Sequence, residues 1–222
     1  MKRDPKALVL LAAITLFAVL PLAFYVAADV PRRSSLKEGL SILTVLALVA
    51  VVAQFFLARS LPVLMHLFKA PAVQRVHKVV GYCAIALLAV HPCLIVLPRY
   101  LEAGVRPLDA LVTLLTQFES LGVVLGLAAW ASMVLLVATA YGRMRLIRRR
   151  GLRYRSWRSL HGGLAVGFVV VGLWHAIELG RHTGLLLGGF LLVLAAVGLA
   201  LLLRLYLLDR PRQSRGVPGV PS

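Results

Sequence analysis

Acidic residues, cysteines and long polar segments are scarce in this sequence of 222 residues. There are eight Asp and Glu residues against 25 Lys and Arg, and only two cysteines. Cys83 and Cys93 are ten residues apart in one apolar stretch, or about 15 Å along a helix, which excludes a disulfide within it. We expect both to be buried structural thiols. No polar segment is long enough to form a soluble domain, so the net charge of +17 does not indicate a nucleic-acid partner.

Apolar residues dominate the chain. The sequence is 60% hydrophobic and its mean hydropathy is +0.89, well above the range of soluble domains. Because lipid offers the backbone no hydrogen-bond partner, we expect an all-α membrane bundle that fills residues 1–222 as a single domain. We predict six transmembrane helices, followed by a flexible tail at 209–222. The predicted helices are 7–28, 39–58, 77–98, 119–141, 160–179 and 183–208.

The first apolar segment could be mistaken for a signal peptide, since three basic residues precede it. Its apolar run of about 22 residues is longer than the usual signal-peptide core of roughly 7–15. We therefore expect it to be a retained transmembrane helix.

The basic residues are distributed asymmetrically between the connecting segments. If the N-terminus is cytoplasmic, 19 of the 25 basic residues lie on the cytoplasmic side with two acids, and the outer side has six of each. An excess of Lys and Arg in cytoplasmic loops sets the orientation of membrane proteins. We therefore expect both termini to be cytoplasmic in an integral protein of the cell membrane, with its basic loops against anionic membrane lipid.

Four histidines form two pairs with the same spacing. His77 and His91 are fourteen residues apart, and so are His161 and His175. Fourteen residues turn through about 1400°, close to four full helical turns, so both histidines of a pair face the same way about 21 Å apart. Ionisable side chains at membrane depth are costly and mark functional sites.

The predicted topology makes the third and fifth helices parallel, because both begin on the cytoplasmic side. His77 then lies level with His161, and His91 lies level with His175. An imidazole on either side is the arrangement that ligates a b-type haem iron axially on both faces. The pattern therefore predicts two b-type haems at two depths. Two histidines on each iron leave no open position, which favours electron transfer over oxygen binding at the metal.

Other candidate cofactor contacts lie close to these histidines in the sequence. Arg155 and Arg158 precede His161 and are placed to contact propionates of the inner haem, and Arg99 is placed to contact those of the outer haem. Phe168 is seven residues from the histidines on either side, midway between the two predicted haems. It could shape the electron path, although aromatic residues more often fill interiors.

Two further histidines lie at the membrane boundary. We expect His66 to be interfacial and solvated. His182 follows Arg181 in the tight turn after the fifth helix. Together with Arg99 and Arg106 it could contact outer propionates or attract an anionic metal chelate, and ordinary interfacial anchoring explains these residues as well.

From about residue 40 to 208 the sequence resembles the transmembrane domain of the ferric reductase and NADPH oxidase superfamily. The resemblance rests on His77-Lys-Val-Val-Gly81-Tyr82, on His91-Pro92, and on Trp157-Arg-Ser-Leu-His161 leading to His175. It implies that the four histidines are the axial ligands of two b haems. Well-known members continue into flavin and nucleotide domains, whereas a short tail follows the sixth helix here. We therefore expect the donor to be a cytoplasmic flavin reductase subunit or a membrane quinol, with any flavin on the partner.

The resemblance leads to one main hypothesis and two alternatives. In the main hypothesis the chain is an oxidoreductase component that passes electrons from a cytoplasmic donor to an outer acceptor, such as ferric iron in a chelate. The first alternative is a related haem-binding membrane subunit that feeds a periplasmic methionine sulfoxide reductase, and its members also lack nucleotide domains. The second is a histidine-relay proton or ion transporter, which the boundary positions of the acids disfavour.

Overall fold

The architecture of the chain comes from a computed structural model, which describes residues 4–98, 106–116, 118–149, 151 and 153–208. Throughout these ranges every regular element is a helix. Six helices are long and apolar enough to cross a membrane. The predicted all-α bundle of six membrane-spanning helices is confirmed. The predicted tail at 209–222 lies outside the described residues.

The six long helices follow the six predicted apolar segments in order. The first consists of α1 (Pro5–Ile14) and α2 (Leu20–Ala27), joined by a π-helical turn at Thr15–Val19. The others are α3 (Ser35–Leu57), α5 (Ala70–Val96), α7 (Leu121–Tyr141), α9 (Tyr154–Leu179) and α10 (Leu185–Leu208). Three short helices lie between them: α4 (Pro62–Leu67), α6 (Pro107–Thr116) and α8 (Arg143–Arg149).

Two helices begin well before their predicted apolar segments, by about two helical turns. The helix α5 starts at Ala70 instead of residue 77, and α9 starts at Tyr154 instead of residue 160. A helix satisfies its own backbone hydrogen bonds, so it can continue from the membrane into the polar boundary region, where hydropathy gives no signal. As a result His77 and His161 each lie about two turns inside a helix and are held by backbone on both sides.

The π-helical turn in the first membrane helix has a cause in the sequence. Pro21 lies in the first turn of α2 and is itself buried. A proline inside a helix removes one backbone N–H and clashes with the carbonyl four residues earlier, which here belongs to Phe17. The widened turn at Thr15–Val19 contains that residue and accommodates the ring while the helix continues.

The membrane helices pack mainly as two pairs of consecutive spans. Among the described residues α3 packs against α5, α7 packs against α9, and α10 covers α3. The core between α3 and α10 is fully buried at Val49, Val52, Leu187 and Leu191. The helices α5 and α9, which bear the four histidines, make at most slight contact with each other over their described lengths. The helices α5 and α9 therefore lie near each other without packing directly against each other.

The expectation of buried thiols is wrong. Cys83 and Cys93 are both free and exposed on α5. Cys83 is six residues from His77, which places it about 240° around the helix from the histidine face. Both thiols therefore lie on the side of α5 that points away from the bundle.

Candidate functional site

His91 and His175, called the outer pair after the predicted topology, come together between α5 and α9, and His77 and His161 are called the inner pair. The ring centroids of His91 and His175 are 6.4 Å apart, and the two ring planes are nearly perpendicular at 82°. A nitrogen–metal bond is about 2 Å long and each ring centre lies about 1 Å behind its nitrogen, so two imidazoles on one metal have centroids about 6 Å apart. The separation observed for this pair matches that value.

The second ring nitrogen of each outer histidine already has a partner. His175 Nδ1 lies 2.7 Å from the carbonyl oxygen of Gly122, which only accepts, so Nδ1 carries the proton. His91 Nδ1 lies 3.3 Å from the hydroxyl of Thr44, and that hydroxyl donates its own hydrogen to the Leu40 carbonyl at 2.9 Å. Both imidazoles therefore hold their proton on Nδ1 and leave the Nε2 lone pair free. Metal-ligating histidines are held in this way.

Glycine is required where α7 approaches the outer pair. A Cβ added at Gly126 would lie 2.7 Å from both Cε1 and Nδ1 of His175. Gly126 therefore lets α7 pass directly beside the imidazole, and Gly122 one turn earlier supplies the carbonyl that accepts from it. Neither contact could be inferred from the sequence, in which these glycines look like ordinary packing positions of a membrane helix.

The inner histidine pair also belongs to facing helices. His77 and His161 lie about two turns from the starts of α5 and α9 and are close enough to interact electrostatically. Unlike the outer pair, His77 and His161 each have a buried Nδ1 with no hydrogen-bond partner. The Oε1 atom of Gln54 on α3 is likewise buried and unpaired. Unpaired buried polar atoms are rare and costly in native proteins, so these atoms are candidates for contact with a bound group.

An aromatic and basic cluster surrounds His161 at the inner end of α9. The indole of Trp157 stacks on the His161 ring, with centroids 5.4 Å apart and planes 19° apart. Its Nε1–H donates to the Thr139 carbonyl on α7 at 2.8 Å. The Arg143 guanidinium lies over the neighbouring rings, 5.0 Å from the Trp157 ring centroid and 5.2 Å from that of Tyr154. Nothing in the sequence distinguishes Arg143 from the other basic residues of this segment.

The arginines that were predicted to contact haem propionates differ in their exposure and contacts. Arg158 is half-buried, its guanidinium lies 4.9 Å from the Tyr206 ring, and its Nε has no partner. Tyr206 donates to the Arg158 backbone carbonyl at 2.8 Å, which fixes that end of α9 against α10. Arg155 is exposed, and Arg99 lies outside the described residues. Arg158 therefore remains a candidate for binding a carboxylate near His161.

The other predicted residues lie away from the paired imidazoles. Phe168 is 5% exposed and belongs to the hydrophobic core, as its position between the two levels of histidine requires. His66 is in the short helix α4 and is exposed. Arg106 is exposed and pairs with Asp109 at 2.6 Å.

His182 lies in the turn between α9 and α10 and is buried in a polar network. It is 4% exposed, stacks on Tyr25 with centroids 3.9 Å apart, and places Nε2 3.2 Å from Glu38 Oε2. Tyr25 donates to the same carboxylate at 2.7 Å, and Arg33 binds its other oxygen at 3.1 Å. Burial lowers the pKa of His182, and this effect exceeds the opposing attraction of Glu38, which Arg33 already neutralises.

Protein side chains alone do not form a metal site in the part of the chain that the structure describes. No group of three or more His, Cys, Asp or Glu residues lies close enough to hold an ion there. A haem iron differs, because the macrocycle supplies four ligands and the protein only the axial ones. Two facing imidazoles, the free Nε2 lone pairs of the outer pair and the unpaired polar atoms of the inner level fit such a group.

Comparisons with known proteins agree with this picture. Residues 43–172 match the family described as ferric reductase like transmembrane component. The chain is also 35% identical over 173 residues to a protein of Archaeoglobus fulgidus that is described only as uncharacterized. That match covers 78% of this chain and 92% of the relative. No solved structure matches the chain.

Proposed function

The chain belongs to the ferric reductase-like transmembrane family, and we propose that it holds two b-type haems and conducts electrons across the membrane between them. It is an integral, multi-pass membrane protein of the oxidoreductase type. The proposal is supported above all by the outer pair, in which His91 and His175 face each other at 6.4 Å with both Nδ1 atoms occupied. In both rings the bonded nitrogen is Nδ1, which leaves Nε2 as the atom that can bind a metal.

The side chains fix the depth and orientation of each site. His77 and His91 are four turns apart on α5, and His161 and His175 are four turns apart on α9. When bound, the two haems supply one-electron redox centres at two depths of the bilayer. The buried positions of Phe168 and Leu173 on α9 exclude water between these depths. The protein therefore provides ligands, spacing and a dry interior.

The proposed orientation rests on the distribution of basic residues. With 19 of them on the cytoplasmic side, His77 and His161 would lie near the inner surface and the other pair in the outer half of the bilayer. We propose that a cytoplasmic flavin reductase subunit or a membrane quinol donates electrons at the inner level. The acceptor at the outer face is a ferric chelate, and the host membrane is the cell membrane.

A liposome assay tests this function. The purified chain is reconstituted into vesicles with dithionite inside and a ferric chelate outside, and external ferrous iron is followed with a colorimetric chelator. If the chain conducts electrons across the bilayer, external ferrous iron forms in proportion to the amount of protein inserted, in either orientation of the protein. The variant His175→Ala removes one outer ligand and should reduce the rate at least tenfold. Equal rates for this variant, the native chain and empty vesicles would exclude transmembrane conduction.

A further inference from the structure

The four candidate ligands are held in different ways. His91 and His175 are fixed by hydrogen bonds from Nδ1 to Thr44 and Gly122. His161 has no such bond, and its Nδ1 is buried and unpaired. An imidazole without a bond from its second nitrogen is free to rotate about its side-chain torsions unless something else fixes the ring. At His161 the contact that meets this need is the face of Trp157.

Trp157 is well suited to fix a ring. Its indole lies nearly parallel to the His161 imidazole, at 19° and 5.4 Å. The indole itself cannot turn freely, because Nε1–H donates to the Thr139 carbonyl of α7 at 2.8 Å. It also stacks on Tyr154 with centroids 5.7 Å apart. The bond to α7 therefore holds the Trp157 ring in place, and the Trp157 ring in turn holds the His161 ring of α9.

Arg143 contacts the same aromatic cluster. Its guanidinium lies 5.0 Å from the Trp157 ring centroid and 5.2 Å from that of Tyr154, as in a cation–π interaction. Its Nε is buried without a hydrogen-bond partner. Because Trp157 is 5.0 Å from the guanidinium and 5.4 Å from the His161 ring centroid, the charge can be no farther than about 10 Å from that imidazole.

We propose that Trp157 and Arg143 are positioning residues for the inner site: Trp157 sets the plane of the His161 imidazole, and Arg143 locks Trp157 and raises the reduction potential at that site. This inference rests on the proposed function, because it concerns the ligand of a bound haem. At an effective dielectric constant of about 20, a unit charge about 10–15 Å from a redox centre would change its one-electron equilibrium by about threefold to tenfold. That change corresponds to about 30–60 mV for a one-electron couple.

The test compares matched variants of the full-length protein in detergent. Trp157→Phe keeps a ring but removes the bond to Thr139, and Trp130→Phe is its control, because Trp130 also donates its indole N–H to a backbone carbonyl, that of Ala89 at 3.3 Å. Arg143→Gln removes the charge, and its control is Arg145→Gln, an exposed arginine of the same short helix α8. The variant His91→Ala removes the outer haem and so assigns the signals that remain to the inner one.

The readouts are haem content, the low-spin electron paramagnetic resonance signal and redox titration. The resonance position depends on the angle between the two axial imidazole planes, so Trp157→Phe should shift or broaden the inner signal at unchanged haem content. Arg143→Gln should lower the inner potential by about 30–60 mV, while both controls leave signal and potential unchanged. Unchanged inner signal and potential in Trp157→Phe and Arg143→Gln would overturn the inference. A native chain without haem would instead refute the proposed function.

Discussion

Gly126→Ala should selectively damage the outer site. The added Cβ would lie 2.7 Å from His175 Cε1 and Nδ1, where ordinary carbon contacts are about 3.5–4.0 Å, so the imidazole must retreat by about 1 Å. That retreat also strains the 2.7 Å bond between His175 Nδ1 and the Gly122 carbonyl. Overpacking of this kind costs about 1–3 kcal/mol, and loss of a histidine's supporting bond weakens metal binding by about 10–100-fold.

The assay measures haem content and potential at the two sites separately. In Gly126→Ala we expect the outer haem to be lost on dilution or gel filtration while the inner haem stays at full occupancy. Gly163→Ala is the matched control, because Gly163 is exposed on α9 and a Cβ there meets nothing within 4 Å. An outer haem with native affinity, spectrum and potential in Gly126→Ala would refute the proposed position of His175 as a ligand.

Three further predictions concern residues on the outer side of the bundle. Thr44→Val removes the partner of His91 Nδ1 and should weaken outer haem binding about 10–100-fold, as measured by haem transfer to an acceptor protein. Tyr25→Phe removes a bond to the Glu38 carboxylate from a fully buried ring and should reduce the free energy of unfolding by about 1.5–3 kcal/mol in a denaturant titration. Because burial lowers the pKa of His182, the folded protein binds fewer protons than the unfolded chain, so stability should fall as pH decreases below about 6.5. His182→Gln should flatten that part of the pH profile, and an unchanged slope would contradict the buried position.

The shared helix face of two histidines and the six membrane spans could be predicted from the sequence alone. Helical periodicity places His77 and His91 on one face of α5, and hydropathy identifies all six spans. The two helix starts at Ala70 and Tyr154 were missed, because polar residues at the membrane boundary can be helical or not. Hydropathy registers the membrane core and gives no information about the extension of a helix beyond it.

Contacts between helices could not be predicted, because they depend on how each helix is rotated and tilted against its neighbour. Thr44 and Gly122 lie on α3 and α7, and nothing in their local sequence indicates that each supports a histidine on another helix. Arg143 is one of many basic residues in its segment and differs only in the two rings it covers. The buried His182 was missed for the same reason, since its partners Tyr25 and Glu38 are distant in sequence.

The most direct test of the account is the haem content of the purified chain. Absorption spectra of the oxidised and dithionite-reduced protein, with a pyridine haemochrome assay, should show two low-spin b-type haems per chain. His91→Ala and His175→Ala should each retain one, the inner haem. A native chain that carries no haem after expression with an adequate haem supply would contradict the account, and so would either variant if it kept both.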